Sequence, residues 1–434
     1  MKSYLFLAVI VAFNISYAGN DTLSLENAIE LVLKNNYDLL ATKANVQIAK
    51  KNATYGNAGM LPSINLNSSS SIASYDRRQR LSDNTELYGK GAPSSIIIAG
   101  VGFGWTVFDG GAMFAKYREL KNELSWNEEA FKSSLELVVD SVMIQYYTLA
   151  KQQKIVFYKQ KFIEMYEERM RIAESKWNLD LLSKNDYLQA KAELNWQKMH
   201  FLYDDNILKA QKVNMNKLLC RDLEIDFVVS DEFSVSYNPS FEELKKTVVL
   251  NNHSIRLQEL NLEKEKLIVK QANSLMYPKI SLYSNYNFSQ NKAQASWIQL
   301  DQTLGFNAGV NASWYIYNGG NARRQIANSK IFLDRSNLKL ESTKLVVEAS
   351  LLNAYNSYLS SKEILKMAEE NSLIVEEHLH SMMERFKLGR CISLELMQAQ
   401  QTYELSQVQV IDSKFRLRIA ELELMRLNGE LVKM

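Results

Sequence analysis

Alternation of apolar with small or polar residues marks four short segments of this chain. In the clearest one, apolar side chains occupy every second position from Leu304 to Ile316, and small or polar residues fill the positions between. A period of two is that of a β-strand whose two faces meet different surroundings. The pattern predicts strands at about 63–75, 95–108, 279–289 and 302–317.

A second pattern, with apolar or small residues three and four positions apart, fills most of the remaining chain. No glycine or proline occurs between Ala112 and Asn238, which predicts long helices, the first of about 66 residues and roughly 100 Å. The last helical segment has the spacing of a coiled-coil seam at Leu396, Ala399, Tyr403, Ser406, Val410, Ser413, Leu417, Ala420, Leu424 and Leu427. The segment before it has the same spacing, which predicts a helical hairpin that turns at Gly389.

The sequence repeats itself. Met60–Ile64 (MLPSI) returns as Met276–Ile280 (MYPKI), 216 positions later. Trp105–Gly111 (WTVFDGG) returns as Trp314–Gly320 (WYIYNGG), 209 positions later. Two constant offsets separated by one slip indicate a duplication in which a single loop differs by about seven residues.

The duplication divides the mature chain into a first copy at 19–238 and a second at 239–434. Each copy is predicted to contain a helix, two of the strands and one long helical hairpin. The hairpins are expected at about 112–219 and about 321–428. The predicted fold class is therefore α+β with internal duplication.

Residues 1–18 have the three parts of a secretory signal peptide. Lys2 supplies the positive charge, Leu5–Phe13 the apolar run, and Ser16–Ala18 the cleavage site. This apolar run is too short to cross about 30 Å of hydrocarbon, and no later segment approaches about 18 continuous apolar residues. An exported chain of this kind is expected to be soluble or to cross a membrane as β-strands.

Composition argues against two large classes of function. The chain has 51 Lys and Arg against 49 Asp and Glu, whereas a nucleic-acid partner needs a basic face. His378 and His380 point about 200° apart on a helix, and neither a nucleophile elbow nor a phosphate-binding glycine loop occurs. No catalytic residue, cofactor or metal site is therefore expected. Cys220 and Cys391 lack CxxC spacing and are expected to be isolated thiols.

The strands have the length and alternation of transmembrane β-strands, which need about 9–11 residues, apolar side chains outward and aromatic residues at the interfaces. Trp105 and Trp314 suit such an interface because they lie near strand ends. A half-buried hairpin in a soluble domain would show the same alternation, but the export signal favours the membrane.

Four strands cannot close a barrel by themselves. An open sheet in lipid leaves unpaired edge N–H and C=O groups, each costing several kcal/mol, and even a filled barrel needs about eight strands. Copies of the chain must therefore join if the strands span a membrane, although closure does not fix their number. The polar loops Asp76–Ser95 and Ser289–Asp301 are expected on one side of the membrane, and all helices on the other.

Several short motifs accompany this layout. They are Leu25–Ile29 (LENAI) with Asn35-Asn36, Leu61-Pro62 before a strand, Trp-x-x-Phe/Tyr-Asp/Asn-Gly-Gly after one, Phe386–Gly389 (FKLG) and Leu394–Ala399 (LELMQA). Together with the duplication they resemble the TolC-type outer-membrane efflux proteins, the outer membrane factor family. The resemblance extends over nearly the whole mature chain.

The resemblance implies a homotrimer in the outer membrane. Its 12-stranded transmembrane β-barrel, with four strands from each chain, would be continuous with a long periplasmic α-helical barrel. Such a porin-like channel is the exit duct of a tripartite efflux or type I secretion system. It would contact outer-membrane lipid, dock onto a periplasmic adaptor and an inner-membrane transporter of the RND or ABC type, and conduct their substrates passively.

The resemblance also implies where the duct closes. Family members shut the periplasmic end at the hairpin turns, with polar links between helices and a ring of carboxylates. The residues that match the constriction are Glu395, Gln398, Asp186 and Arg390, and those at the turns, where an adaptor docks, are Leu179, Asp180, Leu388 and Gly389. Gln398 replaces a family carboxylate, Cys391 stands where the family has a base, and Asp180 replaces a glycine. Three copies of one carboxylate around a narrow lumen would attract cations, repel anions and bind divalent ions.

The sequence also leaves a second interpretation, a protein of another class. This would be a periplasmic coiled-coil structural or adaptor protein with soluble β-hairpins. The alternating strands weigh against it, because a soluble domain needs a second layer to cover an apolar face.

Overall fold

The computed structural model of the protein describes residues 22–230 and 237–431. The predicted signal peptide at 1–18 lies outside the described residues. The chain divides into two compact units. We call them the hairpin unit, with residues up to Leu40, Ser134–Asn251 and Glu348 onward, and the sheet unit, with Ala41–Ser133 and Asn252–Val347.

In both copies of the duplication, two short helices are followed by two strands and two long helices. In chain order the elements are β1 (Thr22–Leu23), α1 (Leu25–Asn35), α2 (Tyr37–Asn52), β2 (Ser63–Arg80), β3 (Glu86–Phe108), α3 (Ala112–Asn178), α4 (Lys184–Leu218), β4 (Val228–Val229), α5 (Phe241–Asn251), α6 (His253–Ser274), β5 (Lys279–Ala293), β6 (Leu300–Ser313), α7 (Asn321–Lys387) and α8 (Ser393–Leu427). Helices α3 and α7 have 67 residues each, and α4 and α8 have 35 each. Across the described ranges, none of the helices combines the length and the apolar character that a membrane crossing requires.

The sheet unit contains a four-stranded antiparallel sheet in the order β2-β3-β5-β6. The central strands β3 and β5 come from different copies and pair from Ser94 with Ala293 to Phe108 with Ile280. The two β-hairpins of the duplication therefore lie side by side in one continuous sheet. Strands β2 and β6 form its edges, each with one partner strand within the described chain.

Strands β2 and β3 are longer than the sequence pattern predicted. The segment 76–95, predicted to be a loop, is mostly strand, and its turn spans Leu81–Thr85. Arg78 and Arg80 both pair with Glu86, at 2.8 and 2.6 Å, and hold the polar ends of the two strands together. The loop of the second β-hairpin is also shorter than predicted, because β5 runs to Ala293 and β6 starts at Leu300.

The end of strand β6 comes earlier than predicted, at Ser313 and not near residue 317. Ser313 pairs with Lys279, the first residue of β5, which follows Pro278. Proline has no N–H to continue the ladder. The sheet therefore offers Trp314 and the residues after it no partner strand within the described chain.

The repeated Asp/Asn-Gly-Gly motif makes the turn from a strand into a long helix. Four glycines there have φ between 67° and 88°, a region costly for residues with a Cβ: Gly110, Gly111, Gly319 and Gly320. Before each pair, an oxygen of Asp109 accepts the N–H of Met113 at 2.9 Å, and an oxygen of Asn318 accepts the N–H of Ala322 at 3.2 Å. These side chains cap the first turns of α3 and α7.

The repeated Asn-Asn motif marks the breaks between the short helices. Asn36 separates α1 from α2, and its side-chain oxygen accepts the N–H of Leu39 at 3.0 Å. In the second copy Asn252 accepts the N–H groups of Ser254 and Ile255, at 3.0 and 3.3 Å. Where the sequence predicted one helix, each copy therefore has two, joined at an asparagine cap.

The hairpin unit is held together by the predicted seams. All ten seam residues of α8 are buried or half-buried, and Gln407 donates to Ser372 of α7 at 2.9 Å inside the seam. An apolar core at the other end of the hairpins includes Val32, Met215 and Leu422. There β1 pairs in parallel with β4, and the Tyr146 hydroxyl donates to the Leu23 carbonyl at 3.0 Å.

One carboxyl in this unit is poorly solvated. The side chain of Asp140 on α3 is 14% exposed and lies 4.0 Å from Arg426 of α8, whose guanidinium is bound more closely by Glu423, at 2.6 Å. Burial raises the pKa of Asp140 to about 6; the charge of Glu423 adds to the rise, and that of Arg426 opposes it. The charged form of Asp140 is therefore disfavoured in the fold.

The stability of the protein is expected to depend on Asp140 between about pH 4 and pH 6. Because the folded-state pKa is raised, the native state holds the proton more tightly, so the contribution of Asp140 to stability is greatest below pH 4 and declines as the pH rises to 6. Asp140→Asn should therefore raise stability at pH 8 by about 1–3 kcal/mol, with little gain at pH 4. Thermal unfolding in detergent at both pH values measures this. The exposed Glu370→Gln in α7 is the control, and an Asp140→Asn gain that is the same at both pH values would contradict the expectation.

Candidate functional site

The two hairpin turns have the same backbone geometry. Asp180 has φ of +54° and Gly389 has φ of +72°, both left-handed. After them, the N–H of Leu181 donates to the Lys176 carbonyl and the N–H of Arg390 to the Arg385 carbonyl, each at 2.8 Å. This six-residue closure is the Schellman motif that ends many helices. Asp180 therefore adopts the conformation for which the second turn uses glycine.

The two candidate gate carboxylates lie at equivalent positions, the third residues of α4 and α8. The Asp186 N–H donates to Ser183 Oγ at 3.2 Å, and the Ser183 hydroxyl donates back to Asp186 Oδ2 at 2.6 Å. Glu395 Oε2 accepts the N–H of Ile392 at 3.2 Å. Carboxylates in a first turn also face the positive end of the helix dipole. Both side chains thus stabilise a helix start, whatever else they do.

The neighbours of Glu395 favour its ionised form. The Cys391 thiol and then the Ile392 N–H donate to it, and Arg385 adds a favourable charge, so its pKa lies below the usual range for glutamate. The Cys391 pKa is raised by burial and by the adjacent carboxylate. Cys391, which stands where a base was expected, is therefore a neutral partner of Glu395.

The four predicted constriction residues are not joined within one chain. Gln398 is exposed one turn after Glu395, and Arg390 is exposed at the turn. No hydrogen bond or ion pair links any two of Asp186, Arg390, Glu395 and Gln398 in the described ranges. Turn residues Leu179 and Leu388 are exposed as well.

A buried arginine, which the sequence analysis did not single out, binds three helices together near the turns. The Arg169 side chain on α3 is fully buried. It pairs with Glu193 of α4 and donates to Ser393 Oγ at 3.1 Å and Gln400 Oε1 at 3.2 Å, both on α8. Ser393 is the first residue of α8, so Arg169 fixes the helix start that carries Glu395.

Two further links follow Arg169 along the same pair of helices. Lys159 of α3 pairs with Glu404 of α8, which also accepts from Gln197 of α4 at 2.9 Å. Lys151 of α3 pairs with Asp412 of α8 at 2.9 Å. Together with the hydrogen bonds from Arg169 to Ser393 and Gln400, these two ion pairs form a polar ladder between α3 and α8, which is most buried at the end near the turns.

The sequence contains one indication that Arg169 is buried and paired. It lies in the 3–4 register of buried α3 residues Phe162, Tyr166 and Ala173, where a seam normally has apolar side chains. A charge at such a position needs buried partners. The partners are 24 to 231 positions away along the chain, which is why the spacing alone does not identify them.

Trp105 and Trp314 make equivalent contacts in the two copies. The indole N–H of Trp105 donates to the Met60 carbonyl at 2.9 Å, and that of Trp314 to the Met276 carbonyl at 3.1 Å. Both rings remain partly exposed. Each tryptophan thus has a satisfied polar end and a free apolar ring, which suits a membrane interface.

The sheet has one apolar face and one polar face. Val101, Tyr286 and Phe306 lie at one level on the first, and the asparagines Asn285 and Asn307 on the second. No residue is charged in the stretches 63–75, 94–108, 280–291 and 302–313. Among the described residues, no cluster of His, Cys, Asp and Glu is suited to hold a metal ion.

Comparison with known proteins identifies relatives of this fold. A family profile described as outer membrane efflux protein matches residues 28–220 and 245–430, more than half of the chain. The outer membrane protein VceC of Vibrio cholerae is 15% identical, with a TM-score of 0.77 over 93% of this chain and 96% of that one. The CmeC channel of Campylobacter jejuni is 16% identical (TM-score 0.78, 94% and 85% covered), and the MtrE channel of Neisseria gonorrhoeae is 16% identical (TM-score 0.74, 94% and 89% covered). A search of curated protein sequences finds no match.

Exchanges at the two turns test the left-handed geometry. Gly389→Ala is expected to cost about 1 kcal/mol, because alanine carries a Cβ at positive φ. Asp180→Gly is expected to lose nothing and to gain up to about 1 kcal/mol, whereas the control Asp180→Ala should lose stability relative to it. Urea unfolding in detergent compares the three. A clear loss in Asp180→Gly would show that the aspartate side chain, and not the backbone angle, stabilises this turn.

Arg169 is expected to dominate the stability of the hairpin ends. Arg169→Ala removes a buried charge and leaves its three partners Glu193, Ser393 and Gln400 without their donor, so it should cost about 3–5 kcal/mol. The matched control is Lys198→Ala, which breaks an exposed α3–α4 pair with Glu167 and should cost less than about 1 kcal/mol. The same unfolding measurement applies to both. Equal losses in the two variants would rule out a special role for the buried ladder.

Proposed function

We propose that this chain, a member of the outer membrane efflux protein family, forms as a homotrimer the exit duct of a tripartite efflux or type I secretion system. The family match confirms the resemblance found in the sequence. The protein is an efflux channel of the outer membrane with a large periplasmic helical part. Trimer formation, the partners and passive conduction are the proposal.

The observation that carries the proposal is the pair of open edges on the four-stranded sheet. Strands β2 and β6 each have one neighbour in the described chain. In hydrocarbon every unpaired edge group costs several kcal/mol. Pairing β6 of one copy with β2 of the next satisfies both edges and closes the sheet. Three copies give twelve strands, which is above the minimum of about eight and leaves room for water.

The distribution of charge supports a membrane-spanning sheet. On the polar face the uncharged stretch of β5 lies between Lys279 and the level of Asn291, which pairs with Asp301 of β6. About twelve residues at roughly 3.3 Å each, tilted by about 40°, span about 30 Å. That distance matches the hydrocarbon thickness of a bilayer. The arginines of the longer β2–β3 hairpin lie beyond this zone.

The turns suit a docking surface for a periplasmic adaptor. Exposed apolar side chains cluster at both turns and at the helix starts that follow them: Leu179, Leu181, Leu388, Ile392 and Leu394. Exposed apolar clusters of this kind mark protein–protein contacts. The adaptor would couple the duct to an inner-membrane transporter of the RND or ABC type, which supplies the energy.

Asp186 and Glu395 would line the periplasmic constriction in the trimer. Both remain anchored to helix starts, so three copies of each place fixed negative charge around the lumen, while Gln398 adds none. Arg390 has no partner among the described residues and is available to a neighbouring copy. Opening requires α8 to move outward. Either α8 moves relative to α3 and breaks the ladder from the Arg169 end, or the two helices move together and keep it.

Two neighbouring residues of the edge strand β6 provide a matched test of this function. Phe306→Arg places a charge on the apolar face, where lipid makes it cost about 2–4 kcal/mol, and should reduce the amount of trimer in the outer membrane. Asn307→Arg, one residue later on the polar face, should leave insertion intact. Membrane fractionation and light scattering in detergent measure localisation and mass. Wild type should require detergent for extraction and weigh three chains; a water-soluble monomer, or equal tolerance of both arginines, would contradict the proposal.

A further inference from the structure

The polar face of the sheet has an unusual chemistry, because it is rich in amides and glycines and its middle levels are free of charge. Two successive levels of the register contain most of the amides. The first level runs across all four strands as Asn65, Gly102, Asn285 and Asn307, and the next as Asn67, Gly100, Asn287 and Gly305. We call these eight residues the amide belt.

The amides of the belt lie along the sheet. Asn285 Nδ2 donates to Asn307 Oδ1 at 3.1 Å across β5 and β6. A Cβ added to Gly102 would come within 2.6 Å of Asn65 Oδ1 and 3.0 Å of Asn285 Oδ1, so these two amides occupy the space above the glycine. A Cβ on Gly100 would likewise collide with Asn287 Oδ1. The space above Gly102 is thus filled by amides from both neighbouring strands, and the space above Gly100 by the Asn287 amide of β5.

The levels beside the belt are also uncharged, and apart from Ile98 they consist of small or polar residues and a tyrosine. Ser63, Gly104, Tyr283 and Gly309 form one neighbouring level, and Ser69, Ile98, Ser289 and Thr303 the other. Tyr283 leans over Gly309, where an added Cβ would lie 2.6 Å from its hydroxyl. Charged side chains of this face appear only farther out, at Lys279 and Asp301.

We infer that the amide belt lines the transmembrane part of the duct with a wall that hydrogen-bonds cargo and water but does not sort cargo by charge. The inference rests on the proposed function, which turns the polar face toward the lumen. A primary amide both donates and accepts, so it can replace water toward ammonium, carboxylate and hydroxyl groups alike. Charged rings, by contrast, select by sign. Selection by charge is then confined to Asp186 and Glu395 at the periplasmic end.

The glycines give the wall a second property. Because amide groups lie over Gly100 and Gly102, they do not project fully into the lumen, and the lumen keeps its width. The cargo class that fits is broad: hydrophilic solutes of either charge, or of none, that retain part of their hydration during passage.

Cysteine accessibility in intact outer membranes tests the inference. In a Cys220→Ser, Cys391→Ser background, Asn285→Cys reports the belt, and Ser284→Cys, one residue earlier on the apolar face, is the matched control. Each variant is treated with two methanethiosulfonates of similar size, one with a quaternary ammonium and one with a sulfonate. The ratio of the two rates is compared with the ratio for 2-mercaptoethanol in the same buffer.

Asn285→Cys should react with both reagents, in a ratio within about threefold of the free thiol, while Ser284→Cys should be inert in lipid. Adding Asn65→Asp at the same level should shift the ratio toward the cationic reagent by about fivefold, the effect of a nearby carboxylate in water. A ratio at Asn285→Cys that differs tenfold from the free thiol overturns the uncharged wall and leaves the channel standing. No reaction at Asn285→Cys, or no shift with Asn65→Asp, also overturns it. Reaction at both positions would contradict the membrane-spanning sheet and with it the proposed function.

Discussion

The structure depends on one constraint, the need of every backbone N–H and C=O in a membrane to find a partner. The sheet meets this need between β2 and β3, β3 and β5, and β5 and β6, and leaves it unmet along two outer edges. The proposed assembly of several copies would satisfy these edges. The same constraint explains why the sheet is built from both halves of a duplication. Two hairpins side by side share the central β3–β5 ladder, so a chain exposes one pair of edges where separate hairpins would expose two.

Periodicity predicts most of the fold because the same force acts at each position of a seam or strand. The residues spaced three and four apart in α8 are all buried or half-buried, although α8 also buries others such as Gln400 and Arg418. The duplication predicts equal helix lengths in both copies. Periodicity fails where polar side chains support structure. Arg78, Arg80 and Glu86 extend a hairpin through ion pairs that no apolar pattern reveals. It also fails at the end of β6, where the limit is set by the first residue of another strand.

The candidate site likewise has one part that the sequence predicts and one part that only the structure reveals. Family likeness points to Asp186 and Glu395, and the structure adds that each stabilises the start of its own helix, a local role that single-chain geometry fully satisfies. Their assignment to a constriction remains a proposal about the assembly. The ladder from Arg169 depends on side chains far apart in sequence, so it emerges only when α3 and α8 are placed together. A basic residue at a seam position indicates that buried partners exist, but it does not identify them.

The equal lengths of the paired helices restrict how this protein can change during evolution. Lys387, the last residue of α7, contacts Glu168 of α3, and Lys176 of α3 contacts the Phe386 carbonyl, so the ends of the two hairpins are fastened to each other. A deletion of one heptad in one helix alone would shift these contacts out of step by about 10 Å. Substitutions can accumulate independently in the two halves, whereas changes in helix length must occur in concert. Insertions and deletions are therefore expected in the β-hairpin loops, which already differ in length between the two halves.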